Sequence, residues 1–343
     1  MSGQYLRIKI GRMVVFATVL VGASITASYA SANDIIRWGS SVVGAGSQAT
    51  IAAMASVITA NTDLTVLEQV TGGPAENMRL LPRGEIDVGQ LSSDVAYHGY
   101  RGEANYASQG KSDLMGLFTL YPAGLTFMTA KNSGLTHIDQ LKGKRIAVGP
   151  AGSAGPRIVE AWLKAYGIAE GSDLVAIGYS EGADALRSGT VDAAFIVTTG
   201  KGPAGFTNKL DLSMDAVPVE WSFDGPGYAN LQKNSPEFDV TATIEKGWLK
   251  HLDRDIRVPA TYSAEYATGR LSEDSAYRLV KAVWELREEI KRHVANAKWY
   301  AADPARLLQG LAPAVPVHPG AVRFYKEIGV WDPEVYTVGV IRE

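Results

Sequence analysis

Cysteine is absent from all 343 residues. That excludes disulfide bonds and cysteine-ligated metals, and it is compatible with an oxidising compartment, where disulfides are allowed but not required. Histidine is scarce. His98, His137, His251, His293 and His318 are scattered, and no HExxH or other metal spacing appears, so they read as surface or structural side chains. No excess of positive charge is present: the formal net charge is −3. That argues against nucleic acid and anionic membrane surfaces as main partners. No GxxxxGK[ST] phosphate loop occurs, neither around Gly149 nor at Gly200-Lys201. No low-complexity run interrupts the chain, and no apolar run reaches the ~20 residues that a membrane span needs.

What is present begins with an export pattern. Arg7, Lys9 and Arg12 precede the apolar run MVVFATVLVGASITA (13–27), and Ala30-Ser31-Ala32 fits a small-x-small cleavage site. This predicts a signal peptide over 1–32 and a mature chain starting at Asn33. Cleavage would remove three cations and take the net charge from −3 to about −6.

The mature chain alternates between two periods. Strands are predicted at 35–41, 64–70 and 87–92, with helices at 47–60, 74–81 and 94–102 between and after them. This βαβαβ rhythm implies an α/β fold with parallel sheet flanked by helices. Two strands, 114–121 and 125–130, then sit around Pro122 and Gly124 and suggest a crossover into a second lobe. The rhythm resumes with strands at 144–149, 174–177 and 193–199 and helices to Tyr166 and over 181–187. Beyond Val217, Gly225, Pro226 and Gly227 predict irregular chain, and a strand near 258–266 returns to the first lobe. A long amphipathic helix over 271–293 and a last helix at 320–328, after Pro313, Pro316 and Pro319, complete the reading. The predicted lobes are 33–122 plus about 256–343, and 123–255.

Ligands bind such sheets beyond the carboxyl ends of the strands. Four loops fall there. GSSVVGAGSQA (39–49) matches GxGxxA, with Glu68 near the acidic position of a dinucleotide site. Its simpler reading is a helix start whose free N–H groups and serine hydroxyls bind a small anion. TGGPAEN (71–77) places two glycines before a proline-led helix, and LSSDVAY (91–97) offers three capping side chains where one suffices. VGPAGSAGPRIVEAWL (148–163) runs from a strand end through a glycine loop into a helix. Its Ala151-Gly-Ser153-Ala-Gly155 is one residue from a GxSxG nucleophile elbow. A serine hydrolase would then draw on Asp192 and on His251 or His318. Four helix starts around one cleft, without a catalytic pair or cofactor loop, describe a binder that closes by a hinge.

The segments TGGPAENMRLLPRGEIDVGQLSSDVAY (71–97), LYPAGLTFMTA (120–130), HIDQLKGKRIAVGPAGSAG (137–155) and ALRSGTVDAAFIVTTG (185–200) occur in this order. Together they resemble the TAXI family, the extracytoplasmic solute receptors of TRAP transporters, from about residue 35 to 293. The resemblance implies a periplasmic receptor of type II two-lobe fold, with no cofactor and no enzymatic activity. It would deliver a small organic anion, glutamate-like or dicarboxylate-like, to a TRAP membrane permease of the fused type, driven by an ion gradient. Loops matching 39–48, 72–77, 92–94 and 153–155 line the cleft in that family. Here Ser47, Gln48 and Ala49 stand where an aromatic pair and a proline are usual, Ser92 where glutamine is usual, Ala123 where an acid is usual, and Pro156 where threonine is common. A smaller wall admits a bulkier acid or bridging water, so an anion other than glutamate is expected.

The expected ligand contacts are Ser40, Ser41, Ser47 and Gln48 from the first lobe, and Ser153, Ala154 and Gly155 from the second. Gly73, Asn77, Ser92 and Ser93 set orientation, and Thr198, Thr199 and Lys201 follow a second-lobe strand. Tyr121 either flanks the cleft or packs, and Arg79 and Arg157 are unassigned. No metal site, no nucleic-acid partner and a monomeric, non-embedded mature chain are expected. A periplasmic sensor docked to a signalling partner is the other reading, with the Ser153 hydrolase behind it.

Overall fold

The computed structural model describes residues 1, 35–41, 43, 45–150, 154–312 and 315–341. The predicted signal peptide, apart from Met1, and Ser153 lie outside the described residues.

Short β-branched runs form the first parallel strands: β1 (Ile35–Gly39), β2 (Thr65–Gln69) and β3 (Val88–Ser92). Helices α1 (Gly46–Asn61) and α2 (Pro74–Leu80) connect them, and α3 (Ser93–Arg101) follows β3 directly. Pro74 opens α2 because the first turn needs no N–H from it. Gly73 before it has φ 95°, a backbone state that side-chain-bearing residues avoid. Next come β4 (Met115–Ala130), β5 (Arg145–Ala147), α4 (Ala154–Ala165), β6 (Asp173–Val175), α5 (Tyr179–Arg187), β7 (Ala193–Thr199) and β8 (Gly202–Pro203). The chain continues through α6 (Gly205–Ser213), β9 (Ala216–Pro218), α7 (Pro226–Asn234), β10 (Thr241–Ile244) and β11 (Ile256–Ala267). It ends with α8 (Glu273–Glu285), α9 (Arg287–His293), α10 (Lys298–Ala301) and α11 (Pro319–Glu327).

Hydrogen bonding runs without a gap through β2-β1-β3-β11-β4-β7-β5-β6. β1 is parallel to β2 and β3, and β5 is parallel to β6 and β7. The long strands β4 and β11 between these groups are antiparallel to each other and to their neighbours. Buried apolar side chains nevertheless form two clusters. Leu117, Phe118 and Leu120 of β4 belong to the first, and Leu125, Phe127 and Met128 to the second. β11 changes over in the same way, with Ile256 and Val258 in the second cluster and Ala264 and Tyr266 in the first.

Three expectations are corrected. The strands predicted at 114–121 and 125–130 are one, β4. Pro122 lies opposite Tyr262, whose N–H points away from β4 and donates to Ser93 Oγ at 3.2 Å, so this pair asks no ladder N–H of the proline. The helix predicted over 271–293 is two, broken at Leu286 (φ −90°, ψ 7°). The apolar stripe continues into Ile290, which is fully buried, so periodicity does not register the break. Pro226 starts α7 rather than breaking the chain.

Two register shifts kink the β4–β11 pair. Ser263 faces Tyr121 and Ala264 faces Thr119, which leaves Leu120 over; Glu265 faces Phe118 and Tyr266 faces Gly116, which leaves Leu117 over. The Leu117 carbonyl accepts the Tyr325 hydroxyl at 2.6 Å. Between the bulges sits Glu265, wholly buried, with Oε2 accepting the Trp38 indole N–H at 2.5 Å. Burial pushes its carboxyl well above the ordinary carboxylate range, favouring the neutral form.

His318 shifts the opposite way. It is fully buried, caps α11 by accepting the Gly320 N–H at Nδ1, and has Nε2 3.0 Å from the Leu271 carbonyl. Burial pulls its pKa from 6.5 to about 4. The unfolded chain loses the Glu265 proton first as pH rises, so that stabilisation is full at acid pH and fades toward alkaline pH. The unfolded chain gains the His318 proton first as pH falls, so that contribution is full above 6.5 and is lost as pH falls through about 4. Thermal melts between about pH 4 and pH 9 should therefore show Glu265→Gln flattening the alkaline limb and His318→Gln the acid limb.

Candidate functional site

Side chains alternate along a strand, so Tyr121 and its partner Ser263 share one face of the crossover pair, and Pro122 and Tyr262 the other. The start of α1 meets the Tyr121 face. Burial pushes the Tyr121 pKa up to about 12, with the neighbouring Ser263 and Ser47 hydroxyls opposing the shift. A Cβ added at Gly46 would sit 3.2 Å from that hydroxyl and 3.3 Å from the Asn296 Nδ2. Asn296 is buried, and its Oδ1 has no hydrogen-bond partner among the described residues. α1 has no side-chain cap at Ala45 and no acid in its first turn. The start of α1 thus lies against the buried Tyr121 and Asn296.

Several predicted ligand contacts are engaged inside the protein. Ser40 is fully buried, and its Oγ donates to Glu68 Oε1 at 2.6 Å; Gln48 Nε2 donates to the same oxygen at 3.0 Å. Glu68 is a hub joining β2 to the first loop rather than an isolated ribose ligand, because two donors from 40–48 converge on it. Asn77 is buried, and its Nδ2 donates to the carbonyls of Gly39, Ser40 and Gln90 at 3.2, 2.8 and 2.9 Å. It ties the ends of β1 and β3 together. Ser92 Oγ donates to Asp94 Oδ1 at 2.8 Å, and Ser93 Oγ accepts from Tyr262. Ser41 is buried beside Gly73, where an added Cβ would lie 3.1 Å from Ser41 Oγ.

On the other side, Ala154 and Gly155 are half-buried at the start of α4. A Cβ added at Gly155 would come within 3.0 Å of the Phe195 ring. Thr198 is buried opposite Gly124, Thr199 Oγ1 donates to the Gly202 carbonyl at 3.3 Å, and Lys201 is exposed. Gly200 packs against first-cluster residues: an added Cβ would lie 2.8 Å from Tyr121 Cβ and 2.9 Å from Trp299 Cβ. The structure thus brings Ser47 to Tyr121, and Ser40 and Gln48 to Glu68, but does not gather Lys201 with them. Asn296 and the Asp94–Arg157 ion pair escaped sequence reasoning. Asn296 stands in a turn with no periodic neighbours, and Arg157 shares its helix with Glu160, so spacing could not choose its partner.

The hydrolase constellation is not assembled. Asp192 accepts the Arg145 N–H at 2.9 Å, His251 Nε2 lies 3.2 Å from Asp215, and His318 caps α11. Among the described residues no group of three or more His, Asp or Glu could hold a metal. No described helix is long and apolar enough to cross a membrane.

Residues 47–329 match the NMT1-like family. The chain belongs to that family. A TctC solute-binding protein from Polaromonas, solved without ligand, is similar at 12% identity over 80% of this chain and 90% of that one, with a TM-score of 0.53. The aliphatic sulphonate-binding protein SsuA of Escherichia coli is similar at 13% identity, over 87% and 94% of the two chains, with a TM-score of 0.44. The second substrate-binding domain of Lactococcus lactis GlnP, in an open conformation, is similar at 12% identity over 79% and 97%, with a TM-score of 0.44. The Polaromonas likeness shows the fold of this NMT1-like chain: two α/β lobes joined by crossover strands, the type II periplasmic-binding-protein architecture.

Removing the Asn77 amide would leave three buried carbonyls short of a donor. Asn77→Ala should lower stability by about 1–3 kcal/mol in urea unfolding, whether or not a ligand is bound.

Proposed function

We propose that this NMT1-like chain is a periplasmic solute-binding protein. It captures a small organic anion by lobe closure and passes it to a TRAP-type membrane permease. The lobes proposed are 33–122 with about 256–343, and 123–255, with β4 and β11 passing between them. The observation that carries the reading is the uncapped start of α1, facing the Tyr121 hydroxyl and the Asn296 amide. N–H groups at a helix start, together with the positive end of its dipole, favour an anion. Ser41, Ser47, Ser153, Ala154 and Gly155 are the first contacts proposed for it. Ser40, Gln48 and Asn77 shape the wall through Glu68 and the strand ends. The Polaromonas protein, described as a TctC solute-binding protein, supports the reading by likeness of fold. The four segments resembling TAXI receptors support the TRAP permease, and the export pattern supports the periplasm. The small side chains at Ser47, Gln48 and Ala49 support an anion other than glutamate.

The test is a thermal-shift screen of residues 33–343, unfolded and refolded to strip ligand. The panel holds dicarboxylates, 2-oxo and 2-hydroxy acids, amino acids, aromatic acids and sugars. A ligand at 100 times its dissociation constant adds ~2.7 kcal/mol. One class of acid should raise the melting temperature, and Ser153→Trp should abolish the rise. A response to neutral sugars alone would overturn the anion reading, and glutamate as the best ligand would overturn the expected departure from it.

A further inference from the structure

Across the gap between the two cores, one ion pair joins α3 to α4. Arg157 Nη2 donates to Asp94 Oδ2. Asp94 is followed by Val95 and Ala96 of the first core, and Arg157 by Ile158 and Val159 of the second. The Asp94 side chain is 5% exposed and its Oδ1 accepts Ser92 Oγ, so both carboxylate oxygens are engaged. Arg157 is less settled, at 48% exposure. It stands in the first turn of α4, where the helix dipole disfavours a cation, and that turn holds no acid. Asp94 is its acidic partner among the described residues. In α3 the dipole favours Asp94. The arrangement gives each helix a reason to hold its partner but gives α4 no reason to hold Arg157 alone.

Other contacts bridge the same edge. His98 Nε2 of α3 lies 3.8 Å from Glu237 Oε1, in the turn Pro236–Phe238 that packs on α3. That turn is anchored to α4, since the Trp162 indole N–H donates to the Phe238 carbonyl at 2.9 Å. The pair borders an open pocket of about 160 Å³ lined by Ala75, Asp94, His98, Tyr106, Arg157 and Phe238 among others. The contact between α3 and α4 is thus a polar clasp beside open space.

We propose that Asp94 and Arg157 form a latch that holds the lobes closed in the absence of ligand, so that Arg157 is a positioning residue for capture. The proposal rests on the binding-protein reading only for its use. A closed state populated in advance raises apparent affinity in proportion to its fraction.

The chain has no cysteine, so spin labels at introduced Ala60→Cys (α1) and Asn208→Cys (α6), both exposed positions, report the lobe separation alone. In ligand-stripped protein, pulsed electron–electron distance measurements should show a short-distance population. Arg157→Gln and Asp94→Asn should deplete it several-fold, and Arg157→Lys should restore part of it. Raising salt from about 20 mM to about 1 M should lengthen the distances in the unsubstituted chain but not in Arg157→Gln, because the Arg157 end of the pair is half-exposed and open to screening. If Arg157→Gln is folded and its distances match the parent, or if salt acts equally on both, the latch is wrong. The distances are read without ligand, so failure of the anion screen leaves this result standing. If the screen finds a ligand, Arg157→Gln should bind it about 3–10-fold more weakly, mainly through faster release. Unchanged affinity together with unchanged distances overturns the latch while leaving the binding reading intact.

Discussion

The antiparallel pairing of β4 with β11 is the interaction on which the rest depends. Each strand is long enough to serve both cores, and each changes allegiance near Pro122 and Ala260. The parallel groups β1–β3 and β5–β7 have no direct hydrogen bonds to each other and meet only through this pair. The bulges at Leu120 and Leu117 lie in the first-core half, where Tyr325 and the Trp38–Glu265 bond stiffen the sheet. The second-core half pairs regularly with β7. Near Pro122 the Tyr262 N–H leaves the β4–β11 ladder for Ser93 Oγ.

The candidate site is built mostly from groups that satisfy one another. Glu68 takes two donors, Asp94 takes two, and Asn77 supplies three bonds. The start of α1, by contrast, has no side-chain cap, and Tyr121 and Asn296 lie beside it. Backbone donors cannot be read as an acid or a base and do not titrate. Such donors suit the reversible holding of an anion.

Much of the fold was legible. Strands at β1, β2, β3 and β7 carry β-branched or apolar runs between glycine-rich turns, and Pro74 marks α2 without ambiguity. What failed was local punctuation overruled by tertiary context. Pro122 reads as a strand end, but it sits opposite Tyr262, whose N–H is turned to Ser93 and asks nothing of the proline. Leu286 looked like mid-helix because Ile290 keeps the stripe in phase. Pro226 looked like a breaker although it begins a helix. At the site, serines and glutamine beside a glycine loop were legible as polar, but their commitment to Glu68 was not, since that acid lies 20 and 28 residues further along the chain from Gln48 and Ser40. Asp94 and Arg157 are 63 residues apart, and no periodicity links one helix start to another.

The position of β11 also sets an order of events during synthesis. It lies between β3 and β4 in the sheet, yet it is made after all of β4–β10. Until residue 267 emerges, β3 and β4 expose the edges that β11 will fill, and Glu265 is not available to the Trp38 indole. The first core therefore cannot complete itself as its own residues appear. It must wait open for a late insertion, a topology of long sequence separations that folds slowly. About three-quarters of the chain is therefore made before the central strand can lock the sheet.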